Sequence, residues 1–116
     1  MVEVVFRLNG KEVKTNAKLI VYNKSKTYKG ELKKYAEYRL HVRRIIQHEE
    51  NNTVIETKIK PGVYEATLVT DKKELYLGGV HLYRNNLIVL PKKFAKFYSD
   101  DVTIILTPVE ETDERK

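Results

Sequence analysis

The segment VEVVFRL (2–8) places Val2, Val4, Phe6 and Leu8 on one side of an extended chain, the period-2 pattern of a strand with one buried face. Asn9-Gly10 follows at once. Both residues tolerate positive φ, so the pair predicts a tight hairpin turn. This unit, a few alternating residues and then a turn, recurs along most of the chain and excludes most other architectures. A return strand through Glu12 and Val13 is expected, followed by a third strand over AKLIVY (17–22). Further on, Tyr38, Leu40 and Val42 alternate with Arg39, His41 and Arg43. Ile45-Ile46 breaks that alternation and predicts a bulge. EENN (49–52) is a polar turn, and TVIETKIK (53–60) is the partner strand, with Ile55 and Ile59 opposite in facing to Val54 and Lys58. Pro61-Gly62 ends it.

VYEATLVT (63–70) and ELYL (74–77) read as two more strands. Gly78-Gly79 predicts a kink that turns VHLY (80–83) around a corner. LIVL (87–90) is a strand, and Pro91 suits the first turn of a short helix. That helix, KKFAKFY (92–98), sets Phe94, Phe97 and Tyr98 against Lys92, Lys93 and Lys96; DVTIIL (101–106) closes the core. In the tract 23–38, Leu32, Tyr35 and Ala36 sit at helical spacing, which predicts a second short helix from about Gly30 to Glu37. The expected fold is therefore mainly β (β-dominated α+β): a single small antiparallel barrel or strongly bent sheet with one or two short helices. Residues 1–107 form one domain, and 108–116 form a charged, disordered tail.

A chain of 116 residues supports one modest core. Cysteine is absent, which removes disulfides, thiolate metal sites and cysteine nucleophiles. No long apolar run exists, and the N-terminus lacks a signal-peptide layout, so a soluble, cytoplasmic protein with no membrane association is expected. Ser25 and Ser99 lie outside any nucleophile-elbow frame, and His41, His48 and His81 lack metal-ligand spacing. The five glycines form no phosphate-cradling loop. The reading is of a protein without catalytic residues, metal or cofactor, and not an enzyme.

The net charge is +6, and the basic residues are concentrated: Lys11 to Arg44 holds 11 Lys/Arg against Glu12, Glu31 and Glu37. Such a tract suits an anionic partner, nucleic acid foremost. Within it Tyr28, Tyr35 and Tyr38 are interleaved with Lys24, Lys26, Lys29, Lys33, Lys34, Arg39, Arg43 and Arg44. Cations neutralise phosphates while aromatic faces stack on exposed bases, the combination that binds single strands on a β surface. Lys33, Lys34, Tyr35, Arg39, Arg43 and Arg44 are the candidate contacts. The competing account is a solvated lysine-rich surface, and the abundance of Lys and Glu, the single Gln and the lone Met also fit a heat-adapted source.

A second stretch joins RNN (84–86), LIVLP (87–91), KKFAKFY (92–98), SDD (99–101) and VTIIL (102–106). This succession of turn, strand ending in proline, short basic helix, acidic turn and strand resembles the swapped-hairpin, AbrB/SpoVT-like DNA-binding family over about residues 80–107. Ser99-Asp100-Asp101 is shorter than that family's turn and lacks its glycine. The resemblance implies DNA binding in transcription regulation and a homodimer of interleaved hairpins. Carried over, it points to Arg84 and, on the helix, Lys92, Lys93 and Lys96 as DNA contacts.

The expected function is non-enzymatic nucleic-acid binding, to DNA ahead of RNA, by a duplex regulator or a small barrel that binds single strands. The alternative is a structural or protein-interaction module with no nucleic-acid role, such as an accessory subunit or a virus-encoded inhibitor of a host factor, using an exposed edge such as VEVVFRL.

Overall fold

Alternating apolar residues build strands throughout the computed structural model, which describes residues 1–109. These are β1 (Val2–Leu8), β2 (Lys11–Tyr28), β3 (Glu31–Val42), β4 (Ile45–Glu50), β5 (Thr53–Lys58), β6 (Gly62–Val69), β7 (Glu74–Leu82), β8 (Leu87–Leu90) and β9 (Thr103–Pro108). A 3₁₀ helix, Lys92–Phe97, lies between the last two. Seven strands close into a barrel in the order β1-β2-β3-β8-β7-β6-β9, and β4 pairs with β5 as a separate two-stranded sheet. The fold is thus mainly β. One seam departs from the antiparallel expectation: β1 and β9 run parallel. Strand directions cannot alternate all the way around a ring of seven, so one neighbouring pair must be parallel. That seam also gives β1 a partner on each side, so VEVVFRL is not a free edge.

Inside the barrel, alternation becomes burial. Val2, Val4 and Phe6 of β1, Leu40 and Val42 of β3, Leu68 of β6, Ile88 of β8 and Ile104 and Leu106 of β9 are almost fully enclosed. Each large apolar side chain so buried contributes about 1.5–3 kcal/mol. Among the described residues no polar or charged side chain is buried. The Phe6 and Tyr64 rings meet edge to face at 5.6 Å. The Tyr64 hydroxyl donates to the Lys60 carbonyl at 2.5 Å, and burial raises its pKa. Phe94, Phe97 and Tyr98 pack against this core from the 3₁₀ turn, as their spacing predicts.

Four local expectations are corrected. The two strands expected over 12–13 and 17–22 are one 18-residue strand, β2. The helix expected from about Gly30 to Glu37 is instead the start of β3, and Lys29-Gly30 is a two-residue turn with φ of 51° and 78°. Ile45-Ile46 is not a bulge within one strand: the chain leaves the barrel after Val42 and β4 begins a new sheet. Pro108, assigned to the tail, belongs to β9, and the Val109 amide donates to the Val63 carbonyl at 3.1 Å; the rest of that tail lies outside the described residues.

Gly78 behaves as its neighbours suggested. Ala66 pairs with Gly78 and Thr67 with Tyr76, so Leu77 is an inserted residue. Gly78 takes φ +94° at this bulge, which lets the strand bend at the barrel corner. The insertion switches parity: Leu75 and Leu77 face inward before it, Val80 and Leu82 after it.

The Lys29-Gly30 turn generates a local prediction. Gly30→Ala forces a side chain into positive φ and costs about 1 kcal/mol. The loss appears in hydrogen exchange as faster opening near the turn, with protection of Leu40 and Ile104 amides unchanged.

Candidate nucleic-acid interface

Beyond the barrel rim β2 and β3 pair only with each other among the described strands. β1 pairs with residues 11–17 of β2, and β8 pairs with residues 38–41 of β3. Residues 22–28 and 31–37 pair across the hairpin with no third strand beside them among the described residues. They form a two-stranded arm of seven residues per strand, roughly 23 Å long at ~3.3 Å per residue. Five lysines and two glutamates are carried on it.

Directly opposed residues of an antiparallel pair share a face. One face of the arm therefore carries Tyr22, Lys24, Lys26 and Tyr28 opposite Glu37, Tyr35, Lys33 and Glu31. This face continues the outer wall of the barrel, because Leu40 and Val42 point inward while His41 is exposed. Near the tip, Lys26, Tyr28, Lys33, Lys34, Tyr35 and Lys92 line one cleft of about 420 Å³. Lys92 comes from the 3₁₀ helix, which packs beside β3 through Tyr38 and Tyr98, their ring centroids 5.3 Å apart. The Tyr98 hydroxyl donates to the Pro91 carbonyl, and burial pushes its pKa well above the usual tyrosine range.

Two ammonium groups of the cleft, those of Lys33 and Lys92, and that of the neighbouring Lys29 sit on its rings. Lys92 Nζ is 4.5 Å from the centre of the Tyr35 ring; Lys29 and Lys33 lie 5.5 and 5.6 Å from the centre of the Tyr28 ring. At exposed sites such contacts are worth about 0.5–1 kcal/mol, whereas a base stacked on an aromatic ring contributes about 1–3 kcal/mol. A nucleobase can therefore displace each lysine from its ring, and the displaced ammonium is then free to meet a phosphate.

The structure brings together Lys33, Lys34, Tyr35 and Lys92 of the sequence-predicted residues, and adds Lys26 and Tyr28. Arg39 lies further along the same face. Its guanidinium is held by the Glu37 carboxylate and stacks on Tyr22, 4.2 Å from the ring centre. Glu37 also accepts from Lys24 at 3.3 Å. The Arg39 hydrogen bond, aided by Lys24, holds the Glu37 carboxyl below the usual glutamate range. Lys93 and Lys96 are exposed and lean over Phe94 and Phe97, each 5.2 Å from a ring centre. Tyr38 turns inward against the core rather than toward the cleft.

Arg44 is used differently. It donates from Nε to Asn86 Oδ1 at 2.9 Å and from Nη2 to the Arg84 carbonyl at 2.9 Å, with Nη1 3.4 Å from the Ile59 carbonyl. It ties the turn before β8 to the neck of the β4–β5 sheet. Arg43 is exposed at that neck, and Arg84 is exposed on the turn. Lys60, His81 and Tyr83, which carried no signal in the sequence, line an outer cleft together with Arg39 and Arg84.

His48 Nε2 lies 2.6 Å from Thr57 Oγ1 across β4 and β5. Among the described residues no three His, Asp or Glu gather as a metal site, and no helix is long and apolar enough to cross a membrane. Comparison with protein-family models, with curated proteins and with solved structures found no match.

Arg44→Ala leaves three acceptors without their charged donor and costs about 2 kcal/mol. Urea denaturation shows it as a lower midpoint at unchanged slope, while the NMR resonances of Tyr28 and Tyr35 stay in place.

Proposed function

We propose that this protein is a non-enzymatic nucleic-acid-binding protein that takes single strands on its β2–β3 arm. Bases stack on Tyr28 and Tyr35, and Lys26, Lys33, Lys34 and Lys92 meet the phosphates. The observation that carries this reading is the cleft itself: two chain segments remote in sequence converge to place four lysines around two tyrosine faces. A single strand fits better than a duplex because these rings can stack only on bases that are already unpaired. The setting is the cytoplasm, and DNA is the preferred strand.

Fluorescence anisotropy with labelled single-stranded and duplex oligonucleotides tests the reading. Single-strand affinity falls with salt by a log–log slope of about −0.7 per phosphate engaged, near −3 for four lysines. Tyr35→Ala weakens binding about tenfold by removing one stacking face. RNA of the same sequence supplies the DNA–RNA comparison. If no oligonucleotide binds at low salt, the reading falls. The swapped-hairpin resemblance makes a different demand: duplex binding by a homodimer, lost on Arg84→Ala with Tyr35→Ala silent.

The protein-interaction reading draws on another feature, the unpaired backbone edges of the arm and of the β4–β5 sheet. Such edges can accept a partner's strand. Recovery of a stoichiometric protein partner, with no oligonucleotide bound, selects it.

A further inference from the structure

We infer that a second nucleotide station lies on the outer wall of the barrel, in the cleft of Arg39, Lys60, His81, Tyr83 and Arg84, and that one strand runs from the arm cleft to it along β3. The inference rests on the single-strand reading and extends it to a defined track.

The outer cleft has the chemistry of the arm cleft, with arginine in place of most of the lysine. Its volume is about 950 Å³, and Pro61, Leu87 and Val89 supply an apolar floor. Tyr83 is 46% exposed, so its ring is open to a base. His81 lies beside it with ring centroids 4.3 Å apart, which holds the tyrosine in place. Arg84 and Lys60 stand at the rim, both exposed. Arginine can grip phosphate with two parallel hydrogen bonds. Among the described residues Glu37 is the one carboxylate that lines this cleft.

The two clefts follow one another along β3. Lys33, Tyr35, Glu37 and Arg39 are successive outward residues of β3, covering about 20 Å at ~3.3 Å per residue. Lys33 and Tyr35 line the arm cleft; Glu37 and Arg39 line the outer one. About six stacked nucleotides span that distance at ~3.4 Å each.

At the end of the outer cleft nearer the arm, the pairing of Glu37 with Lys24 and Arg39 acts as a latch. Without a ligand the carboxylate occupies both cations. A phosphodiester arriving along the track competes with it for the two, and Arg39 keeps its seat on Tyr22 throughout.

Oligothymidylates of about four and about twelve nucleotides test this by anisotropy. Loss of affinity for both lengths is expected from the double variant Tyr35→Ala/Lys92→Ala. The double variant Tyr83→Ala/Arg84→Ala, both positions exposed, weakens the longer strand about tenfold and leaves the shorter one unchanged. Glu37→Gln tightens the longer strand and steepens its salt slope by about 1, since one repulsive charge goes and two cations are released. If the outer-cleft variant leaves the longer strand untouched, or weakens both lengths alike, the second station is overturned while the arm reading stands. An unchanged or weakened Glu37→Gln overturns the connecting track. If neither length binds the parent protein, both readings fail together.

Discussion

Backbone pairing between β1 and β9 joins the first and last strands of the barrel and turns a sheet with two open edges into a closed wall. With the wall closed, every inward side chain from Val2 to Leu106 shares one enclosed interior. The same closure leaves the barrel strands no edge for further pairing along this seam. What projects beyond the wall is then free to be polar on both faces, because the core no longer depends on it.

That separation organises the charge. The interior holds no buried polar or charged side chain among the described residues, so the basic excess is displaced outward. β2 begins as a barrel strand with Val13 and Ala17 buried and ends in the arm, and β3 begins in the arm and ends in the barrel at Leu40 and Val42; no arm residue is buried. Tyr28 and Tyr35 are therefore available in a way Tyr38 and Tyr64 are not. The latter two, nearer the barrel, spend their rings on Tyr98 and Phe6. Arg39 and Arg44 divide similarly. Arg39 remains on the outer face, paired with the Glu37 carboxylate. Arg44 is engaged by Asn86 and by the carbonyls of Arg84 and Ile59.

Legibility in the sequence followed burial. Where a strand has one wet and one dry face, as in β6 and β9, alternation is enforced by the core and reads directly. In the arm both faces are wet, so nothing enforces period 2, and Leu32, Tyr35 and Ala36 fall at helical spacing by coincidence. The turn signal failed for a related reason. Asn9-Gly10 carries asparagine at the first positive-φ position and was readable; Lys29-Gly30 takes the same geometry with lysine there, a residue with no such preference. Of the candidate site, the basic and aromatic character of Lys33, Lys34 and Tyr35 was visible. The arrival of Lys92 was not, since it depends on where the 3₁₀ helix packs.

The sequence by itself determined that this chain is mainly β, where most of its strands lie, and that its charge is concentrated before Arg44. Local composition is enough for those, because alternation, turn chemistry and charge are properties of neighbouring residues. Only the tertiary structure decided that seven strands close with one parallel seam, that the basic tract is an arm, and which cations are free. Those depend on pairings between residues as distant as Glu3 and Thr103, and no window along the chain contains both.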